Sequence, residues 1–205
     1  MTVRTLSRLC QILLGLILIL STVQAAEPAI RNVILMIPDG LSVEGATLAR
    51  WMNEGKPLAW DPWVCGLVTT FAADAPITDS APAATAYATG HKSHTGFLGI
   101  RPDQNTMPGA PPFPSREARR PLVTLMEAAR IRGMATGLVV TSEVTHATPA
   151  AFYAHSDDRK DMEGLARQLV EAAPDLVLGG GRDLFDPGKR RDGQDLLAQI
   201  RKSGH

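Results

Sequence analysis

Asp39 is the first residue whose type and position suggest chemistry. It follows the apolar run 32–37 (NVILMI), a pattern typical of a strand buried on both faces. In open α/β sheets ligands gather at the carboxyl ends of strands, where a carboxylate can hold a cation. Pro38-Asp39-Gly40 is also ordinary turn chemistry. The local pattern leaves both interpretations open.

Ser80 stands immediately before a run of small residues, 81–86, that favours a helix. Serine at such a position is typical of a helix N-cap. A helix start also favours negative charge, so it would help a serine oxygen to attack and would attract an anion. An alcohol nucleophile additionally needs a base or a metal ion. Taken alone, the pattern favours the cap.

His146 and Thr148 lie two residues apart after a predicted strand. An extended backbone would point both side chains to one side, and imidazole plus hydroxyl suits a mixed nitrogen and oxygen metal shell. A lone polar histidine in a loop is the more common case. Arg159 lies within the charged run 157–160, which is either solvated or supplies a guanidinium that forks onto two phosphate oxygens.

Apolar runs and helical spacing alternate along the chain. The alternation of strand and helix predicts an α/β layered fold with a largely parallel sheet. A loop rich in proline and arginine occupies 101–120. The predicted strands are 32–37, 66–72, 136–141 and 175–178, and the predicted helices are 42–52, 80–89, 121–132, 159–172 and 194–202.

The composition is that of an ordinary globular protein. Of 205 residues 44% are hydrophobic and 20% are charged, and 21 basic residues balance 21 acidic ones. This neutral balance gives no support for binding to nucleic acid or to a membrane surface, so neither is expected as a partner.

The N-terminal segment has the pattern of a signal peptide. Arg4 and Arg8 precede the apolar run 9–20, and small residues follow. We expect cleavage after Ala25, which gives a signal peptide of residues 1–25 and a mature chain of 26–205. The run is too short to span a bilayer as a helix, so no membrane anchor is expected after cleavage. The expected location is periplasmic or secreted.

The sequence has two cysteines. Cys10 falls in the signal segment, and Cys65 is then alone, so the mature chain has no internal disulfide. Its apolar neighbours Val64 and Leu67 favour a small core residue over a reactive thiol.

Four segments together resemble the alkaline phosphatase family: NVILMIPDG (32–40), TDSAPAATAYATGHKSHTGFLGI (78–100), TSEVTHATPAAFYAH (141–155) and LVLGGGR (176–182). The resemblance covers nearly the whole mature length, and the two middle segments are highly specific. It implies an alkaline-phosphatase-like three-layer sandwich with a largely parallel central sheet. Residues 26–205 would be the N-terminal part of that domain, so the sheet is expected to be incomplete.

The resemblance implies hydrolysis of phosphate monoesters with two zinc ions and one magnesium ion. Ser80 would coordinate a zinc ion, attack phosphorus and form a phosphoserine intermediate. Asp39 would bridge that zinc and the magnesium. The family resemblance also implies broad monoester specificity and a homodimer.

The remaining implied roles concern the phosphate and the magnesium. Arg159 would clamp the phosphate, and Asp79 would hold Arg159 through a carboxylate–guanidinium pair. His146 and Thr148 would belong to the magnesium shell. Some family members carry aspartate at the position of His146, so the strength of magnesium binding is left open.

In the family, the remaining zinc ligands and a magnesium-site glutamate come from the second half of the chain. After Arg159 this sequence has only one histidine, His205. We therefore expect a truncated chain that folds poorly by itself because its sheet edge is uncovered. The alternative to a phosphatase is a catalytically inactive fragment that binds phosphate or metal weakly. Relatives in the same superfamily cleave phosphodiesters or sulfate esters, but segments 78–100 and 141–155 favour the monoesterase.

Overall fold

The computed structural model describes residues 30–109 and 114–204, and the chain divides into two compact units, Met1–Pro38 and Asp39–His205. The predicted signal peptide lies outside the described residues. In the first unit, residues 30–38 contain no helix or strand, and Val33 and Met36 are 79% and 84% exposed. The predicted buried strand 32–37 is therefore wrong. A strand is defined by hydrogen bonds to a neighbour, which an apolar pattern alone does not supply.

The second unit holds the helices. α1 begins directly after Ser42, whose side chain accepts the Gly45 N–H and caps it. The described residues also form short 3₁₀ helices at Asp61–Trp63, Ser115–Glu117 and Arg182–Phe185. The α-helices are α1 Val43–Met52, α2 Ser80–Thr89, α3 Leu125–Ile131, α4 Ala147–Ala150, α5 Met162–Ala172 and α6 Leu196–Lys202.

Capping chemistry moves the start of α3 away from Pro121, where the sequence predicted it. The Thr124 side chain accepts the Glu127 N–H and the Glu127 carboxylate accepts the Thr124 N–H, which forms a capping box. Pro121 instead forms an isolated antiparallel bridge with Ile100. The starts of α5 and α6 move in the same way, to the residues that follow the capping aspartates Asp161 and Asp195.

The sheet of the described residues has two parallel strands, β1 Gly137–Glu143 and β2 Leu176–Gly180. Their register is irregular between Val139 and Glu143. Both strands were predicted, whereas the predicted strand 66–72 does not form, and Leu67 is 85% exposed. As with 32–37, β propensity without a partner does not make a strand.

The core lies around α2, which packs against α4. Both helices meet through small buried side chains, which allow the two backbones to approach closely. These are Ala81, Ala84 and Ala88 of α2 and Ala147 and Ala150 of α4. Leu98, Leu165 and Leu196 are the largest apolar side chains with no exposure. This packing fixes the start of α2 next to the start of α4.

Two further observations concern the surface. Cys65 is exposed, so its predicted place in the core is wrong; its neighbours Val64 and Leu67 are themselves 63% and 85% exposed. None of the helices in the described ranges is long and apolar enough to cross a membrane.

Candidate active site

Ser80 is the first residue of α2, and the residue before it caps the helix. The Asp79 carboxylate accepts the Ala81 N–H at 2.7 Å. The interpretation of Ser80 as the N-cap is therefore wrong, because aspartate is at least as good a cap and stands one residue earlier. The Ser80 hydroxyl is thus available for another partner, and it lies half-buried at the positive end of the helix dipole.

That partner is Asp39, which lies in a turn. The Ser80 hydroxyl is 3.1 Å from each of the two Asp39 carboxylate oxygens. Thr148 Oγ1 donates to Asp39 Oδ2 at 2.7 Å. Two hydroxyl groups that are far apart in the sequence therefore meet on one carboxylate.

His146 and Thr148 reach Asp39 from a helix start and not from an extended segment. His146 is the N-cap residue of α4, and Thr148 lies within that helix. The predicted extended backbone at 146–148 is therefore wrong. Pro149 is tolerated in the first turn of a helix, so it does not prevent α4. His146 Nδ1 is 4.0 Å from Asp39 Oδ2, so the two side chains nevertheless converge.

Arg159 lies on the other side of this cluster. Its Nη1 is 3.5 Å from Asp79 Oδ1, and its Nη2 is 3.3 Å from His146 Nε2. Its backbone N–H donates to the Gly96 carbonyl at 3.0 Å. Since the side chain is only 25% exposed, the guanidinium is held in place and is not a freely solvated charge.

The side chains around Asp39 fit one divalent cation. Carboxylate and hydroxyl oxygens with one imidazole nitrogen form a donor set for a hard or borderline metal ion. In the described ranges no group of three or more histidine, cysteine, aspartate or glutamate side chains is placed to hold a metal ion. Asp39 and His146 are the members of that class that converge here. The described residues therefore do not by themselves complete a pair of zinc sites.

Sequence reasoning missed the segment 96–100, which supports Arg159. Gly96 acts through its backbone carbonyl, so its residue type gave no signal for this role. The segment does fall within the run 78–100 that resembles the family.

Comparison with known proteins gives one family. The family model for alkaline phosphatase matches residues 30–205. Alkaline phosphatase 3 of Bacillus subtilis is 35% identical over 193 residues, which is 87% of this chain and 38% of the relative. Streptomycin-6-phosphate phosphatase of Streptomyces griseus is 38% identical, over 82% of this chain and 42% of the relative. This chain thus spans about two fifths of the length of these relatives.

Solved structures agree with the sequence relatives. The alkaline phosphatase of Thermus thermophilus matches with a TM-score of 0.70 and 34% identity, over 85% of this chain and 35% of that one. A second match is a histidine-to-aspartate mutant of the alkaline phosphatase from the Antarctic bacterium TAB5, with magnesium bound in its M3 site. Its TM-score is 0.70 and its identity 30%, over 84% of this chain and 45% of that one. The predicted fold class is confirmed: the described residues form an incomplete version of this α/β fold.

Proposed function

The chain belongs to the alkaline phosphatase family, and we propose that it carries the nucleophile and the phosphate clamp of an enzyme that hydrolyses phosphate monoesters at alkaline pH. The observation that carries the proposal is the Ser80 hydroxyl, 3.1 Å from the Asp39 carboxylate at the start of α2. Arg159 lies beside the same helix start, against Asp79. Nucleophile, anionic metal ligand and guanidinium are thus grouped as phosphoryl transfer requires.

Two zinc ions and one magnesium ion are part of the proposal. Asp39, Ser80, His146 and Thr148 would hold metal on this chain, and the remaining zinc ligands would come from outside the described residues. When bound, the cations neutralise the phosphate dianion and favour the ionised serine.

Asp39 and the start of α2 hold the nucleophile. The carboxylate accepts the Ser80 hydroxyl, and the helix dipole favours negative charge at the serine oxygen. Arg159 then forks onto two phosphate oxygens and aligns the phosphorus with the serine.

The proposed reaction has two displacements. In the first, the Ser80 Oγ–P bond forms, the bond from phosphorus to the ester oxygen breaks, and the serine proton is released to solvent while the leaving alcohol takes one up. In the second, water attacks the phosphoserine, the P–Oγ bond breaks and Ser80 regains a proton. Inorganic phosphate is released from Arg159.

A second candidate is a catalytically inactive chain that binds phosphate or metal weakly. Among the described residues, Asp39 and His146 are the carboxylate and the imidazole that meet here, and no group of three such side chains is placed to hold a metal ion. This incomplete ligand set favours the inactive chain. In that case turnover would require residues that these 205 do not supply.

Location and assembly belong to the same proposal. The pattern of residues 1–25 supports export to the periplasm or the exterior. Broad specificity for small phosphate monoesters and a homodimer are proposed from family membership alone. The Streptomyces griseus relative is named for one such monoester, streptomycin 6-phosphate.

The test is hydrolysis of a chromogenic phosphate monoester at alkaline pH by the 205-residue chain with added zinc and magnesium. Ser80→Ala should abolish the activity. Ser203→Ala is the matched control because the Ser203 hydroxyl donates to the Ile200 carbonyl at the end of α6 and not to Asp39. Ser80-dependent turnover supports the enzyme. A rate equal to that of Ser80→Ala supports the inactive chain, and faster cleavage of a phosphodiester or a sulfate ester would contradict the monoesterase.

A further inference from the structure

We propose that Gly99 and His155 are positioning residues: they form a joint between α2 and the loop of Arg159 and thereby set the guanidinium relative to Ser80. The inference rests on the proposed roles of Ser80 and Arg159. Neither Gly99 nor His155 contacts the reacting groups. Both lie in segments that resemble the family but have no role in the chemistry described above.

The first side of the joint is a hydrogen-bonded link to the nucleophile helix. Thr85 lies in α2, five residues after Ser80, and has no exposure. Its hydroxyl accepts the Gly99 N–H at 3.0 Å and donates to the Phe97 carbonyl at 3.3 Å. Because one buried hydroxyl serves both backbone groups, the segment 97–99 is fixed against α2.

The second side links the same segment to the loop of Arg159. Leu98 and Ser156 form an antiparallel bridge with bonds of 2.8 and 2.9 Å. Three residues further on, the Arg159 N–H donates to the Gly96 carbonyl at 3.0 Å. The segment 96–100 therefore lies between the helix that carries the nucleophile and the loop that carries the guanidinium.

Gly99 allows these two sides to approach. Its φ is +60°, which disfavours other residues, and a Cβ there would lie 2.2 Å from the Ala154 carbonyl oxygen and 2.8 Å from His155 Nδ1. Any side chain at this position would force the two segments apart. Gly90, at the end of α2, has φ +74° and no atom within 4 Å of such a Cβ.

His155 closes the joint from the side. Its Nδ1 is 2.7 Å from the Gly99 carbonyl oxygen and its Nε2 is 2.9 Å from Glu127 Oε1. Since both partners are acceptors, Nδ1 must carry a proton for the link to Gly99. Glu127 holds the ring from α3, while Arg130 and Glu171 are the other charged groups that line the cavity beside it.

The position of Arg159 therefore depends on the contacts that the segment 96–100 makes with α2 and with the loop of Arg159. A displacement of about 1 Å in a catalytic group can cost on the order of a hundredfold in rate. Gly99 bonds to Thr85 in α2 on one side and to His155 at the loop of Arg159 on the other, and Glu127 in α3 holds the His155 ring.

The experiment compares Gly99→Ala with Gly90→Ala in the full chain, because both substitutions strain a left-handed backbone but only the first creates a clash. Hydrogen exchange of the Arg159 amide reports the joint directly and needs no metal or substrate. We expect Gly99→Ala to speed that exchange by about tenfold or more and Gly90→Ala to change it by less than about threefold, since the cost of strain alone stays local. Exchange of the β1 amides, which lie outside the joint, provides the reference for overall stability.

A second pair of variants tests the histidine. His155→Asn keeps a donor near the Nδ1 position, and His155→Gln keeps one near the Nε2 position. We expect His155→Asn to stay within about threefold of the parent in Arg159 amide exchange and His155→Gln to rise by about tenfold, as for loss of one net hydrogen bond. This pair decides the question if Gly99→Ala does not fold.

Binding of inorganic phosphate, measured by ³¹P NMR with zinc and magnesium present, separates this inference from the proposed function. If Arg159→Ala leaves phosphate affinity unchanged, the proposed clamp is wrong, and the exchange data still judge the joint. The joint would be overturned if the Arg159 amide exchanged at the same rate in Gly99→Ala and Gly90→Ala. It would also be overturned if that exchange stayed near the parent rate in His155→Gln but not in His155→Asn. Faster exchange and weaker phosphate binding in Gly99→Ala alone are the expected result.

Discussion

Replacement of Asp39 by asparagine should remove cation binding while it leaves the fold intact. The carboxylate receives the Ser80 hydroxyl at 3.1 Å and the Thr148 hydroxyl at 2.7 Å, and His146 Nδ1 lies 4.0 Å away. The asparagine side chain would keep the shape and one acceptor oxygen but lose the negative charge. The aspartate side chain is 46% exposed, so the cost to folding should stay below about 1 kcal/mol.

The effect on the metal should be much larger than the effect on stability. Residues that merely orient a metal ligand typically contribute about 10–100-fold to affinity, so loss of the ligand carboxylate should weaken Mg²⁺ binding by at least about a hundredfold. Isothermal titration of the 205-residue chain with Mg²⁺ measures this. Asp74→Asn is the matched control, because Asp74 also accepts a threonine hydroxyl, that of Thr95 at 3.2 Å. Equal Mg²⁺ affinity in Asp39→Asn and the parent would refute the assignment of Asp39 as a ligand.

Two further predictions concern stability. Burial alone would raise the pKa of Glu127, but the Thr124 N–H and the His155 imidazole outweigh it and hold the pKa below the ordinary 4.5. A lowered folded-state pKa means that the contribution of Glu127 is present above about pH 4.5 and is lost as the pH falls through the folded value. In hydrogen exchange, the ratio of the α3 amide rates in Glu127→Gln to those in the parent should therefore shrink from pH 7 to pH 3; a constant ratio would contradict it. Separately, the 205-residue chain should unfold without a sharp calorimetric transition, because side chains such as Trp51, Trp63 and Val139 are 74%, 81% and 69% exposed. A single cooperative heat peak would show that reasoning to be wrong.

Local signals predicted five of the six α-helices of the described residues near their observed positions but missed α4 and predicted two strands that do not form. α1 and α2 begin within one residue of their predicted starts, because capping residues and runs of small residues act over a single turn. The strands predicted at 32–37 and 66–72 do not form. Strand formation depends on a partner that is remote in sequence, and an apolar run does not specify that partner. β1 and β2 form where each has the other as a neighbour.

The sequence predicted which residues form the candidate site but not the backbone conformation that brings them together. The structure brings Asp39, Ser80, His146 and Thr148 together, although 146–148 is the start of a helix and not an extended segment. Those residues were identified by their side-chain chemistry and by resemblance, both of which are visible in a sequence. The segment 96–100 acts through carbonyl and amide groups, which every residue carries, so sequence reasoning had no signal for it.

Asp79 connects the start of α2 with Arg159, the proposed phosphate clamp. Its Oδ1 accepts the Ala81 N–H at 2.7 Å and lies 3.5 Å from Arg159 Nη1. One oxygen therefore begins α2 and attracts the guanidinium, while the next residue, Ser80, directs its hydroxyl to Asp39. The negative charge of Asp79 interacts favourably with the positive end of the helix dipole and with the Arg159 guanidinium. Because an N-cap fixes the geometry of the residue that follows it, the order Asp79-Ser80 places the proposed nucleophile and the proposed clamp at one helix start. A serine cap would have engaged its own hydroxyl with the backbone and left none for phosphorus.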